Sequence, residues 1–222
     1  MPKKGGGWRP ALNLKPVNAF LRTDYFTLPT LKSIIPFIHQ GWWATSVDLS
    51  SAYFHIATHS DAQAWLGMRY KNACYRWVAM PFGLATAPRE WQRSMRPVVQ
   101  RMRADGYLCW VYLDDFIILA PIRIRAKTAT AKLVSLLRDL GLTVNFTKSQ
   151  LEPTQKIVYL GFLINLIDGL IQIPMGKVEG VCAAIDRLLK SDLPAVPRVA
   201  SVVGKLRALA YAVPHEIGRA HV

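Results

Sequence analysis

Three acidic residues stand where folding alone gives little reason to put them. Residues 107–120 consist of two apolar, β-prone runs, 107–113 and 116–120, separated by the acidic pair Asp114 and Asp115, a pattern that predicts a hairpin with carboxylates at its tip. A two-residue hairpin turn favours Asn-Gly or Asp-Gly because both turn residues take φ > 0, and Asp-Asp followed by a bulky Phe is a poor choice on those grounds. Two carboxylates about 5 Å apart repel by roughly 3 kcal/mol at an effective dielectric near 20, which drives one towards protonation unless a cation relieves it. A divalent metal is the simplest relief; a solvated loop tip is the alternative. The third acid, Asp48, ends the β-prone run 42–47, where it can reach a neighbouring hairpin tip or cap the short helix that Ser50 or Ser51 could also cap.

The surrounding chain must position these groups. After a basic, glycine-rich start with Lys3, Lys4 and Arg9, readable as a phosphate-contacting finger or as a solvated terminus, the spacing predicts a strand at 42–47, a pair of strands within 65–80 joined at 70–72, and a bend at Pro81-Phe82-Gly83. A helix is expected over 87–103, capped by Thr86, started by Pro88, and carrying Arg89, Arg93, Arg96, Arg101 and Arg103 against Glu90. After the hairpin come a helix over 126–140 with Gly141 as its stop, and a strand over 142–146. Further expectations are an apolar hairpin at 157–165, a turn at Asp168-Gly169, and amphipathic helices with stripes at Val178, Val181, Cys182, Ile185, Leu188 and at Val199, Val202, Val203, Leu206. That order describes an α+β fold, an antiparallel sheet with helices on one face. It brings Asp48 and the Asp114-Asp115 tip to one sheet edge.

Composition narrows the class. A chain of 222 residues with 51% hydrophobic content can bury a core, and a formal net charge of +14 spread along its length favours a polyanionic partner. Basic residues interleaved with Trp and Tyr suit a groove where bases stack and phosphates are neutralised. Cys74, Cys109 and Cys182 are odd in number and set in apolar contexts, which suggests neither disulfides nor a zinc ribbon but three buried small side chains. His55 and His59 lie four apart without a third ligand, so they are read as packing or surface histidines. No run of apolar residues approaches the length of a membrane span, and no signal-peptide core is present. The expected location is therefore intracellular.

Three carboxylates from two elements of a basic, aromatic-rich chain suit two-metal phosphoryl transfer, with magnesium preferred over zinc because the donors are hard oxygens. The same residues equally fit a nuclease. The ordered motifs discriminate: Trp8-Arg9-Pro10 with Leu14-Lys15-Pro16-Val17-Asn18, Val47-Asp48-Leu49-Ser50-Ser51-Ala52-Tyr53-Phe54, Met80-Pro81-Phe82-Gly83-Leu84 with Ala87-Pro88, Tyr112-Leu113-Asp114-Asp115, Gly141-Leu142 with Asn145 and Lys148, and Tyr159-Leu160-Gly161-Phe162. Together they resemble the reverse transcriptase domain of retrotransposons over residues 8–165. Asn-Leu-Lys-Pro, Ala-Tyr-Phe-His-Ile and Pro-Thr-Gln-Lys-Ile look most like the DIRS-like, tyrosine-recombinase-bearing elements, with the gypsy class second.

The resemblance implies a right-hand polymerase fold and an RNA-directed DNA polymerase that adds dNTPs to a primer 3′-OH on an RNA or DNA template. Asp48 and Asp114 would hold two Mg²⁺ ions, with Mn²⁺ able to stand in, helped by the backbone carbonyl of Leu49, and Asp115 would complete the site. Arg9 with Lys3 or Lys4 would clamp the triphosphate, and Tyr53 would clash with a ribose 2′-hydroxyl. Phe82 and Gly83 would lie against the nucleotide, Lys148 would protonate departing pyrophosphate, and Tyr159, Leu160 and Gly161 would grip the primer. Leu113 stands where many relatives have Met or Ala, a change expected to affect packing. The implied division is fingers over 1–42, palm over 43–156 with a fingers insertion near 55–80, a primer-grip hairpin over 157–173 and a partial helical thumb over 174–216. Residues 217–222 read like a translated sequencing adapter. In the full element RNase H and a recombinase or integrase would accompany this segment. A piece that only binds nucleic acid is the alternative.

Overall fold

The 116–120 run Phe-Ile-Ile-Leu-Ala is apolar at every position, which suits a strand covered on both faces. The computed structural model describes residues 12–191 and 195–209. Its elements are α1 (Lys15–Asn18), β1 (Trp43–Asp48), α2 (Ser60–Gln63), β2 (Gly67–Tyr70), β3 (Ala73–Arg76), α3 (Ala87–Ala104), β4 (Leu108–Tyr112), β5 (Asp115–Ala120), α4 (Arg123–Asp139), β6 (Gln150–Thr154), β7 (Lys156–Tyr159), β8 (Phe162–Asn165), β9 (Leu170–Gln172), α5 (Met175–Leu189) and α6 (Val196–Leu209). The main sheet has the order β4-β5-β1-β6, with β5 antiparallel to both β4 and β1. β6 carries Pro153, which lacks a ladder donor and so belongs at an edge, where it lies.

Alternation along β5 divides the interior into two cores. Phe116 and Ile118, with Val47, Cys109 and Val111, face Trp91, Met95 and Met102 of α3 and Leu133 and Leu137 of α4. Ile117 and Leu119, with Ala44 and Trp110, face Leu31, Ile34 and the second sheet, β7-β8-β9, through Ile157, Tyr159 and Ile164. Helices therefore occupy one face, as expected, and a small antiparallel sheet covers the other.

One polar pair is buried inside the helix-side packing. The Thr130 hydroxyl donates its single proton to the Ala126 carbonyl at 2.8 Å, so the Thr45 hydroxyl, 2.6 Å away, must donate to Thr130. Thr45→Val should lower the unfolding free energy by about 1 kcal/mol, the net worth of such a bond, read as a shifted denaturation midpoint at unchanged slope.

Several local expectations are corrected. Residues 142–146 form no strand; only a single bridge, Leu49 to Val144, joins them to the chain after β1, because a tight turn begins at Asn145. Neither Thr86 nor Ser51 caps a helix through its side chain: Thr86 has a helical backbone and Ser51 is left-handed at φ 55°. α4 starts three residues earlier than predicted, and Leu140 is exposed. Of the cysteines only Cys109 is buried, and burial pushes its thiol up to about 12, which makes it inert. The stripes of α5 and α6 are mostly open, with Val181 and Val202 the buried members. Of the α3 arginines, Arg89 pairs with Asp24 and Glu90, Arg101 with Asp105, and Arg103 reaches the Cys109 carbonyl.

Candidate active site

The main sheet brings the acids together. In the β1–β5 pairing Asp48 stands opposite Asp115, and residues directly opposite in an antiparallel pair present their side chains on one face, about 5 Å apart. Asp115 also pairs with Tyr112 across the hairpin, so the two turn residues are Leu113 and Asp114. The unfavourable turn backbone falls on Leu113, at φ 53°, and not on the acidic pair. Such a conformation costs on the order of 1–3 kcal/mol in a non-glycine residue and persists where the surroundings hold it. Leu113 is therefore a backbone position of the site, and not merely one of packing.

Exposure separates the three acids. Asp114 is open to solvent, whereas Asp48 and Asp115 are partly buried. Burial, then the charges of Asp48 and Asp114, push the Asp115 carboxyl up to about 7. Burial also raises Asp48, aided by Asp114 and opposed by Lys148 and the Asn145 side chain. Asp48 Oδ1 is buried with no hydrogen-bond partner, a costly state for a carboxylate oxygen that a bound cation would remove. Among the described residues no three His, Cys, Asp or Glu side chains are close enough to cage an ion alone. The site thus fits a hard divalent ion that takes a few protein oxygens and completes its shell with substrate phosphates, the usual habit of Mg²⁺.

This charge arrangement sets a pH dependence. An aspartate titrating near 3.9 in the unfolded chain and near 7 in the folded one binds more protons when folded, so its contribution to stability is fullest below about pH 4 and is lost as pH rises through 7. The upper limit is about 4 kcal/mol; for a group in partial contact with solvent about 1–2 kcal/mol is the scale. Excess MgCl₂ should therefore raise the melting temperature more at pH 8 than at pH 6, and Asp115→Asn should stabilise the metal-free chain at pH 8. A thermal melt series at the two pH values checks both, and equal Mg²⁺ shifts would contradict the assignment.

The residues after β1 are tied to the Asn145–Ser149 turn. The Asn145 N–H donates to the Asp48 carbonyl at 2.8 Å, the Asp48 N–H donates to Ser149 Oγ at 2.9 Å, and Ser149 Oγ donates back to the Asn145 carbonyl at 2.7 Å. Lys148 is exposed in this turn, its charge felt by Asp48. The Leu49 N–H donates to the Asp114 carbonyl at 2.9 Å, and among the described residues nothing donates to the Leu49 carbonyl.

An aromatic wall borders the acids. Tyr53 lies 5.1 Å from Phe82 and 6.3 Å from Trp91, and Phe54 lies 5.2 Å from Phe82. Burial, then Asp114 and Tyr112, raise the Tyr53 phenol, which places that side chain within the field of the tip. Gly83, at φ 94°, is exposed, and the Asn18 side chain clamps its loop by donating to the Gly83 carbonyl and accepting from the Ala85 N–H, both at 2.9 Å.

One expectation changes on the far side. Tyr159 is 1% exposed and its hydroxyl donates to the Asp115 carbonyl at 3.0 Å, so its side chain lies beneath the acids and is closed to a primer. Leu160 and Gly161 form the β7–β8 turn with left-handed backbones, overlaid by Lys177, whose Nζ sits 4.7 Å from the Phe162 ring. His55 bonds the Ala52 carbonyl and Thr143, and His59 accepts from the Asp61 N–H. Lys3, Lys4 and Arg9 lie outside the described residues. Sequence reasoning missed Ser149, Trp91 and the clamping role of Asn18. An Asx turn at Asn145 is the signal that could have pointed to Ser149.

Known proteins resemble this chain in sequence and in fold. Residues 1–164 match the family described as Reverse transcriptase (RNA-dependent DNA polymerase). The chain is 24% identical over 165 residues to the Transposon Tf2-3 polyprotein of Schizosaccharomyces pombe, covering 74% of this chain and 12% of that one. It is 27% identical over 159 residues to Polyprotein P3 of Commelina yellow mottle virus, covering 72% and 8%. It thus spans no more than 12% of these curated relatives. The fold is that of the foamy viral protease-reverse transcriptase solved with double-stranded DNA (TM-score 0.75, 17% identity, 94% of this chain and 35% of that one) and with an RNA/DNA hybrid (TM-score 0.71, 16% identity, 94% and 26%). The matched span contains Asp48, Asp114 and Asp115, and the chain belongs to the reverse transcriptase (RNA-dependent DNA polymerase) family.

Proposed function

We propose that this chain is the polymerase segment of a retrotransposon reverse transcriptase, adding dNTPs to a primer 3′-OH under the direction of an RNA or DNA template. The observation that carries the reading is the Asp48–Asp115 register pair with its orphaned Asp48 Oδ1, beside the exposed Asp114. Asp48 and Asp114, with the Leu49 backbone carbonyl and Asp115 behind them, would hold two Mg²⁺ ions. When bound, such ions lower the pKa of the attacking hydroxyl and neutralise charge on the leaving pyrophosphate. Tyr53 and Phe82 bound the space for the incoming sugar and base, and the bend at Gly83 leaves room beside them. Lys148, within the field of Asp48, is the proton donor to the leaving group, and Arg9 with Lys4 clamps its phosphates. Leu160 and Gly161 meet the primer.

In these terms residues 1–42 belong to the fingers, 43–156 to the palm with a fingers insertion near 55–80, 157–173 to the primer grip and 174–216 to the start of a thumb. Among the described residues no helix is long and apolar enough to cross a membrane, and the net charge of +14 suits a nucleic-acid partner. The motif wording assigns the source to the DIRS-like elements ahead of the gypsy class; flanking sequence encoding RNase H and a tyrosine recombinase would support that, and an integrase would refute it. Extension of a primed template by the 222-residue chain tests the activity. It should require dNTPs and Mg²⁺ and stop on chelation; template binding without any extension would leave only a nucleic-acid-binding segment.

A further inference from the structure

Three consecutive carbonyls at the catalytic tip each accept a hydrogen bond from a different part of the chain. Trp91 Nε1, from α3, donates to the Leu113 carbonyl at 2.9 Å; the Leu49 N–H, just past β1, donates to the Asp114 carbonyl at 2.9 Å; the Tyr159 hydroxyl, from β7, donates to the Asp115 carbonyl at 3.0 Å. Trp91 and Tyr159 are 0% and 1% exposed, so neither side chain can touch nucleotide or primer. They belong to opposite cores, Trp91 to the helix side and Tyr159 to the β7-β8-β9 side. A buried indole or phenol needs a partner for its polar atom, and both find it on the backbone of one turn, whose first residue, Leu113, has the left-handed backbone at φ 53°. A strained turn persists only where several contacts over-determine it.

We propose that Trp91 and Tyr159 are positioning residues that hold the Leu113–Asp115 backbone against Leu49, and thereby set where the Asp114 and Asp115 carboxylates point. Neither residue takes part in chemistry; each acts through a carbonyl of the tip. The inference rests on the reading of that tip as the catalytic one, yet the holding itself can be measured without turnover. Tyr159→Phe removes one oxygen from a ring whose packing is otherwise kept, and Trp91→Phe removes the indole N–H.

Amide hydrogen exchange and single-turnover primer extension on the 222-residue chain, with each variant and the pair, provide the test. Exchange at the Leu49 amide and at the amides of residues 113–116 should quicken about tenfold or more, while residues 117–120 stay as in the parent and the melting temperature of Tyr159→Phe falls by only a few degrees, as expected for one buried hydrogen bond. The extension rate should fall by roughly 10–100-fold, the usual effect of removing a group that orients a ligand from behind, at unchanged template-primer affinity and unchanged half-saturating dNTP. Should Trp91→Phe unfold, Tyr159→Phe decides alone. Parental exchange at Leu49, or a parental extension rate in the presence of faster exchange, overturns the proposal. If the parent chain extends no primer, the catalytic reading fails, and the exchange result still decides whether these two side chains hold the tip.

Discussion

Asp114→Asn should abolish primer extension, lowering the single-turnover rate by about 10³-fold or more, equivalent to ~4 kcal/mol of transition-state stabilisation. The substitution nearly preserves shape and leaves the backbone carbonyl that receives the Leu49 N–H, so the turn should keep its form. What it removes is a negative charge on the exposed member of the acidic group, and one preorganised electrostatic contact is commonly worth that much in rate. Folding should be little affected because the side chain is not buried, and template affinity should hold or tighten slightly as the formal charge rises from +14 to +15. Extension within tenfold of the parent would remove Asp114 from the metal-holding role. Asp115→Asn serves as the contrast, since it relieves a carboxylate whose burial disfavours its charge and should raise stability while lowering activity.

The second large effect concerns the sugar. Tyr53→Val should raise the efficiency of rNTP use relative to dNTP use by about 100-fold, within the range that pocket shape confers on enzymes. The Tyr53 ring packs against Phe82 at 5.1 Å and Trp91 at 6.3 Å, contacts that hold it as a wall. Tyr53→Phe keeps the wall and should keep the discrimination, which separates a steric gate from a role of the phenol oxygen. Efficiency with dNTPs should drop less than tenfold for either variant. Unchanged selectivity in Tyr53→Val, measured by competing rNTP and dNTP on one template, would place the gate elsewhere.

Much of the site was legible because its signals are local. A β-prone run marked β1 and apolar runs marked the β4–β5 hairpin, and the acids stood out because Asp114 and Asp115 interrupt a pattern that otherwise reads as pure core. The helix face of α4 followed from its 3.6-residue period. Less legible were contacts that join distant segments through single atoms. Nothing in the text around Trp91 says that its indole N–H meets a carbonyl 22 residues later, and nothing around Tyr159 says that its hydroxyl lies under Asp115. The β-prone letters of 142–146 misled because the chain there serves Asp48 and Leu49 through a bridge and a turn, which propensity cannot express. β6 went unseen because Pro153 and Glu152 hide an edge strand whose pairing is set by β1.

The strand order β4-β5-β1-β6 has a consequence for the moment of synthesis. β1 is the first of these strands to be made, yet its partners are drawn from residues 115–120 on one side and 150–154 on the other. At translation speeds of about 5–20 residues per second, Trp43–Val47 must wait on the order of 5–20 s before both of its edges can be covered. During that interval it is an unpaired β-prone strand, the kind of segment that invites mispairing with other chains. The paired carboxylates depend on the β1–β5 half of that pairing alone, so a nascent chain halted before residue 115 would carry the Asp48 motif without its partners.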